Sequence, residues 1–524
     1  MARRLRFWYF NSMVAHVSTL ALQGLHGLPV QVEVQVTSGL QGIYIIGLPS
    51  NAVKESRDRV RGAFHALGIS LPDKRVTVNL SPADLAKDGS HYDLAIALGL
   101  LLAFGVVPDD AAHGVVAMGE LGLDGTVRPV PGCLPAALHA AGNGARVMLV
   151  PAANGPEAAW AGQSSSLGGG MAVFGVNSLH ELIRHLRGEE LMAVVQPVAR
   201  GKDGVAWGDL ADIRGQEGAK RAAEIAAAGG HHLLMSGPPG SGKSMLAARL
   251  PGLLPALSPA EALEVSMIHS VAGTLGAETE GGLVTARPFR DPHHSASSVA
   301  LTGGGLKAKP GEMSLAHRGV LFMDELPEFP RTVLETLRQP LETGTITISR
   351  ASAHVTYPAR FQLIAAMNPC ACGYLGDPQK GCKKQPVCGQ DYTTRLSGPL
   401  LDRFDLRVSV PAVKVSDLSL PPAKEGTEAV AARVARARAI QTARYAATGG
   451  KVVCNAELSG KLLDEFCPLN AEGQKLLQTA AEKMGLSARG YHRVMRVART
   501  IADLAGEADI GRPHLAEALA YRVL

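Results

Sequence analysis

The chain has 524 residues, enough for roughly two to four domains of ordinary size. It is 46% hydrophobic and 19% charged, which excludes bulk disorder, while aromatics at 4% and 59 glycines call for Ala, Leu and Val cores with many turns. Lys and Arg number 52 against 47 Asp and Glu, so the net charge of +5 excludes a histone-like binder but leaves room for a local basic channel.

The N-terminal stretch from Arg3 to Phe10 begins like a signal peptide. Asn11, Ser12 and His16 break its apolar part, and no small-residue cleavage site follows. We therefore expect no export. Met13 reads as an alternative start, with residues 1–12 as an unstructured extension. A first block, residues 13–190, alternates strand and helix patterns. Residues 30–36 keep the period-two alternation of a half-buried strand, and residues 75–78 read as another strand. Residues 56–67 read as a helix with Arg57, Arg59 and Arg61 near its start. The apolar run 94–107, about 14 residues, falls short of the roughly 18–20 that span a bilayer and predicts a buried helix over 93–104. The Gly- and Ser-rich residues 162–170 read as an exposed loop.

Residues 191–208, with Pro197, Gly201, Gly204 and Gly208, form a linker. The second block, 209–415, alternates strand and helix signals as an open α/β sheet does. A further linker around Pro421 and Pro422 leads to residues 425–524, which carry helical periodicity and read as a helical bundle.

The short apolar strand Leu233-Leu234-Met235 runs into Gly237-Pro238-Pro239-Gly240-Ser241-Gly242-Lys243-Ser244 and then a helical stretch, 245–250. This is a phosphate-binding loop in its strand–loop–helix context. Its glycines let backbone N–H groups close around phosphate oxygens at a helix N-terminus. Lys243 is expected to reach the β- and γ-phosphates of ATP, and the Ser244 hydroxyl to hold Mg²⁺. Residues 320–323 form an apolar strand ending in Asp324 and Glu325. Asp324 is the expected second Mg²⁺ ligand and Glu325 the group that polarises the attacking water; the alternative is that both acids cap a helix over 327–337. A third strand ends in Asn368-Pro369, where the amide either orients that water or simply forms a turn.

Four segments resemble the signatures of magnesium-chelatase-like AAA+ ATPases: residues 287–295 (RPFRDPHHS), 303–305 (GGG), 310–317 (PGEMSLAH) and 397–405 (SGPLLDRFD). With the first block included, the resemblance narrows to the ComM/YifB family and covers nearly everything from about Met13 onward. It implies a multidomain α/β protein: a Lon-protease-like (S5 domain 2-like) α+β domain, an AAA+ P-loop α/β domain and a C-terminal helical lid. It further implies a cytoplasmic, ring-forming ATP hydrolase, apparently hexameric and without membrane contact. The implied activity is that of a DNA helicase promoting branch migration, linked in some bacteria to natural transformation. Arg403 matches the arginine finger supplied to a neighbouring subunit. Arg489 matches the sensor-2 position; with Arg493 and Arg496 it shares one helix face, which is otherwise a solvated basic face.

In the first block, Lys87-Asp88-Gly89-Ser90-His91 stands where active Lon proteases carry their serine. Met118-Gly119-Glu120-Leu121 and then Pro131-Gly132-Cys133-Leu134 resemble the stretch that should supply the dyad lysine, and no lysine stands there. A serine without a base in reach is not activated, so the resemblance implies a non-proteolytic platform. Lys54, Arg57, Arg59 and Arg61 are candidate phosphate contacts or a solvated face, as are Lys307 and Lys309 on an expected hairpin tip. Cysteine usage, 7 in all with four clustered, suits a reducing cytosol. Cys370, Cys372, Cys382 and Cys388 form a candidate Zn²⁺ knuckle or a loop of free thiols. The competing functions are a chelatase subunit, disfavoured by the missing acidic Pro-rich linker, an AAA+ protease, disfavoured by the missing lysine, and a remodelling ATPase that does not act on DNA.

Overall fold

A computed structural model describes residues 14–163, 170–198, 207–275, 282–305, 308–350, 353–375, 387–413, 425–449 and 452–522. The extension 1–12, the tip residue Lys307 and Cys382 lie outside them, as do parts of the two linkers and of the Gly/Ser-rich loop.

The N-terminal unit is a mixed seven-stranded sheet in the order Gly42–Ile46, Arg75–Ser81, His26–Thr37, Ala15–Gln23, Val115–Ala117, Val147–Pro151, Ala172–Val176. The alternating Val30, Val32 and Val34 all point into the core, as period two requires. The helix predicted over 93–104 is Asp93–Ala103, with ten buried residues. Among the described residues no helix is long and apolar enough to cross a membrane. The helix predicted over 56–67 starts earlier, at Asn51, and ends at Ala66. Val53 is wholly buried, so packing onto the core stabilises a first turn that carries no apolar repeat of its own.

Asp93 is buried and accepts from Arg59 Nε at 2.6 Å, Arg59 Nη2 at 3.0 Å and the Leu121 N–H at 3.1 Å. Burial pushes this carboxyl up, and the Arg59 bonds oppose the push. Arg59 therefore points inward as a structural partner and does not join a phosphate-facing row. Arg57 pairs with its neighbour Asp58 and, like Lys54 and Arg61, lies exposed on this helix.

The second unit holds a parallel five-stranded sheet, ordered Phe289–Arg290, Val320–Met323, Gln362–Met367, Leu233–Ser236, Leu406–Ser409. Its two faces feed separate cores. Leu233, Met235, Val320, Phe322, Ile364 and Ala366 share one with the alanine-rich helix Glu217–Gly229 and the C-terminal helices. Leu234, Leu321, Met323, Leu363 and Ala365 face the other. The C-terminal unit is helical, as the periodicity predicts: Thr427–Tyr445, Lys461–Phe466, Ala471–Met484, Ala488–Ala505 and Arg512–Ala520.

The N-terminal unit docks on the ATPase-like unit at two places. Gly132 N–H donates to Ser270 O at 2.9 Å and Leu134 N–H to Ser270 Oγ at 3.3 Å, on the helix Pro259–Ala272. Leu134, Leu275 and Leu283 close a small apolar cluster there. The turn after Gln23 presses on a hairpin, Thr345–Arg350 with Ala353–Pro358, so closely that a Cβ on Gly24 would fall 2.6 Å from Val355 Cγ1.

Removing Arg59 leaves a buried carboxylate unpaired. Arg59→Ala is expected to destabilise the protein by about 3–5 kcal/mol in denaturant unfolding. Lys54→Ala and Arg61→Ala, on the exposed face, should change it by less than about 0.5 kcal/mol.

Candidate functional site

The strand Leu233–Ser236 is buried along its length and delivers the phosphate-binding loop to the C-terminal edge of the parallel sheet. A Cβ on Gly237 would fall 2.0 Å from the Val410 carbonyl, so only glycine passes there. Gly240 and Gly242 take left-handed backbone, at φ 74° and 91°, and Gly242 caps the helix Lys243–Arg249. Lys243 is 7% exposed and folds back over the loop. Its Nζ donates to Gly237 O at 2.7 Å and Pro238 O at 2.9 Å, and lies 3.4 Å from Ser241 Oγ and from Asn368 Oδ1. Burial lowers its pKa, against the charges of Asp324 and Glu325.

The Ser244 hydroxyl donates to Asp324 Oδ2 at 2.7 Å. Asp324 ends the fully buried strand Val320–Met323, and its other oxygen accepts the Glu325 N–H at 2.9 Å. A hydroxyl and a carboxylate facing each other are hard oxygen donors of the kind Mg²⁺ takes beside a nucleotide. Glu325 holds left-handed backbone, φ 50° and ψ 45°, which a non-glycine residue adopts only under constraint. Lys243, Ser244, Asp324, Glu325 and Asn368 thus gather at one sheet edge, where ligands of open parallel sheets bind. Tertiary contacts bring two further groups to this edge. His294 Nδ1 lies 3.5 Å from Glu325 Oε2. Asp291 is raised in pKa by burial and by the charge of Asp324. The sequence offers one signal for both: they directly follow Phe289–Arg290, the strand paired with Val320–Met323.

Arg403 and Arg489 converge on Glu342. Arg403, 5% exposed, bonds to the Glu342 carboxylate and donates to Pro399 O at 2.7 Å. Arg489, 65% exposed at its side chain, lies 3.7 Å from the same carboxylate. Arg493 turns inward, 3.3 Å from Asp405, and Arg496 Nη1 donates to Ala456 O at 3.0 Å. Burial alone would raise the pKa of Asp405, but His231 and Arg493 hold it well below the usual carboxylate range. The face shared by the three arginines is therefore largely internal.

The expected hairpin near Lys307 and Lys309 forms between Gly303–Gly304 and Lys309–Pro310. Lys309 is exposed, and the neighbouring Ala308 carbonyl accepts from the Tyr357 hydroxyl at 2.9 Å. In the N-terminal unit Ser90 Oγ bonds to the Glu120 carboxylate, His91 Nε2 lies 3.0 Å from Leu20 O, and Lys87 Nζ bonds to Pro82 O. Cys370 and Cys372 stand with sulfurs 3.2 Å apart, and Cys388 lies on the helix Val387–Thr393. Among the described residues no group of three or more His, Cys, Asp or Glu comes together as a metal site, so the zinc expectation gains no support.

Three family models match the chain. One described as magnesium chelatase, subunit ChlI covers residues 209–418. Subunit ChlI of Mg-chelatase covers 32–154, and magnesium chelatase, subunit ChlI C-terminal covers 424–522. Competence protein ComM of Haemophilus influenzae is 44% identical over 521 residues, 98% of this chain and 98% of that protein. Uncharacterized protein YifB of Escherichia coli is 42% identical over 509 residues, 97% of each. An uncharacterized protein of Mycobacterium tuberculosis is 46% identical over 505 residues, 96% of this chain and 97% of its own length.

Gly373, at φ 82°, backs directly onto the phosphate loop: a Cβ there would fall 2.6 Å from Pro239 Cδ. Gly373→Val is expected to displace the loop and weaken binding of a fluorescent ATP analogue by at least about tenfold, since the added group both clashes and strains the backbone.

Proposed function

The chain belongs to the ComM/YifB family of magnesium-chelatase-like proteins, and from that premise we propose that it is an ATP hydrolase driving movement on DNA as a ring, apparently a hexamer. The observation that carries the reading is the Ser244–Asp324 contact at the edge of the parallel sheet, with Lys243 and Glu325 on either side. In this reading the backbone of residues 237–244 cradles the phosphates and Lys243 contacts the β- and γ-phosphates. Ser244 and Asp324 hold Mg²⁺, which when bound neutralises charge on the phosphoryl oxygens. Glu325 accepts a proton from the attacking water, and Asn368 orients it. Arg403 serves as the arginine finger to the site of the adjacent subunit, and Arg489, near the same Glu342, takes the sensor-2 role.

The DNA part of the proposal is supported by the competence name of the full-length relative and by the exposed Lys309 on its hairpin. The N-terminal unit acts as a Lon-like platform without protease chemistry. Its stretch 131–134, where the resemblance implies a dyad lysine, instead packs on the helix Pro259–Ala272. Helicase activity on branched DNA, in a cytoplasmic recombination role, is the specific form we propose.

Lys243→Ala and Glu325→Gln are expected to lower ATP turnover by at least about 100-fold. Lys309→Ala should weaken binding to single-stranded or branched DNA and reduce the slope of log affinity against log salt by about 1. Strand separation that survives either ATP-site substitution would sink the motor reading. ATP turnover indifferent to DNA at every salt concentration would favour a remodelling ATPase with another substrate.

A further inference from the structure

The joint between the N-terminal unit and the helix Pro259–Ala272 encloses a carboxyl. Glu157, on the short helix Gly155–Ala158, is 5% exposed. Its Oε1 accepts from Asn154 Nδ2 at 2.6 Å, and its Oε2 is buried with no hydrogen-bond partner. Asn154 is itself fixed: its Oδ1 accepts the Val130 N–H and its Nδ2 donates to Val130 O, each at 3.0 Å. Two residues further on, Gly132 N–H reaches Ser270 O across the joint. The carboxyl is thus tied to the segment that docks.

The groups around it are neutral or turned away. Cys133 opens the helix Cys133–Gly142, and burial and the charge of Glu157 both push its thiol up. His139, the other titratable group of that helix, packs against Gly27. From the ATPase side comes Ser270, whose Oγ accepts the Leu134 N–H at 3.3 Å. On the same helix His269 Nε2 lies 3.2 Å from Leu315 O, and Glu264 is taken by His317 and Arg318. The segment Ala159–Gln163 and the strands Val147–Pro151 and Ala172–Val176 bring no titratable side chain. Among the described residues no cation pairs with Glu157.

A buried carboxylate without a cation is costly, whereas a neutral carboxyl is not. Burial pushes the Glu157 carboxyl up, and the Ser270 hydroxyl, Asn154 and the Leu134 N–H oppose the push without cancelling it. Ser270 belongs to the facing unit, so parting the joint removes a wall of this enclosure and lets water reach the charge. We propose that Glu157 is a proton-operated clasp of the joint: with its carboxyl neutral the N-terminal unit sits closed on the helix Pro259–Ala272, and ionisation of the carboxyl loosens it. The closed joint holds the proton above the ordinary glutamate range. The stabilisation is therefore fully present below that range and is lost as pH rises through the raised value.

The test uses the full chain, without nucleotide or DNA, and hydrogen exchange read by mass spectrometry from about pH 4.5 to about pH 8. Glu157→Gln keeps the shape and the hydrogen-bonding groups but does not ionise. Wild type and variant are compared at the same pH, which cancels the intrinsic change of exchange rate. Asp93 and Asp291, also pushed up by burial, titrate alike in both proteins and drop out of the comparison. At about pH 4.5 the two proteins should protect residues 130–136 and 266–274 equally, and by about pH 7.5 the glutamine variant should protect them at least about threefold more. Ser270→Ala removes a hydroxyl that favours the charged form, so its loss of protection with rising pH should be larger than that of wild type, and it decides the matter if the glutamine variant does not fold. A difference between wild type and Glu157→Gln that is the same at every pH overturns the proposal. So does a difference spread through the whole N-terminal unit, or a Ser270→Ala protein with the pH dependence of wild type.

Discussion

Gln362 pins the central strand of the ATPase sheet. Its side chain is the one polar group in an otherwise apolar strand, Gln362–Met367, and its Nε2 donates to Ala226 O at 2.9 Å and His231 O at 2.8 Å. The strand lies between the two that carry the site. Ala365 is the register partner of Leu234 on one side and of Met323 on the other. A slip of one residue would turn every side chain of the strand to the opposite face. The Ser244–Asp324 contact, the reach of Lys243 toward Asn368 and the placement of Glu325 all presuppose that register. The amide thus has two roles. It donates to two carbonyls, that of His231 and that of Ala226, which the His231 N–H also reaches, and it selects one alignment of three strands.

What could be read in the sequence follows from how local each feature is. The phosphate loop and the acids after Val320–Met323 were legible because a strand, a turn and a helix start dictate their geometry within a few residues. The helical C-terminal block and the buried helix Asp93–Ala103 were legible from periodicity and length. Periodicity gives a face but not what covers it. Arg59 therefore read as part of an outward row, although Asp93, 34 residues away, draws it inward. Arg493 and Arg496 shared a face with Arg489 as expected, but Asp405 and the Ala456 carbonyl take them. His294 was marked only by its place after Phe289–Arg290, and nothing in the sequence near Glu342 named the arginines it meets. Their contacts join segments that only the tertiary fold brings together.

The two docking points make the N-terminal unit part of the ATPase framework. One seals the stretch around Gly132 and Leu134 against Ser270. The other sets the turn at Gly24 on the hairpin Thr345–Arg350 and Ala353–Pro358, whose Tyr357 hydroxyl holds Ala308 of the second hairpin. The contacts run from the first sheet through Val355 and Tyr357 to the residue beside Lys309. Buried apolar contact and a satisfied hydroxyl make such a path stiff, because neither end can shift without opening a void or leaving a polar group unpaired.

Two guanidiniums, Arg403 and Arg489, lie at the single carboxylate of Glu342. Formal charges there sum to one positive in excess, and the excess sits on the exposed Arg489. A twofold contact between copies through this face would bring like charges together without a counter-ion. A head-to-tail contact would present the excess to a different surface. The positive charge left on the exposed Arg489 thus favours the approach of an anionic group to this face and disfavours that of a like-charged one.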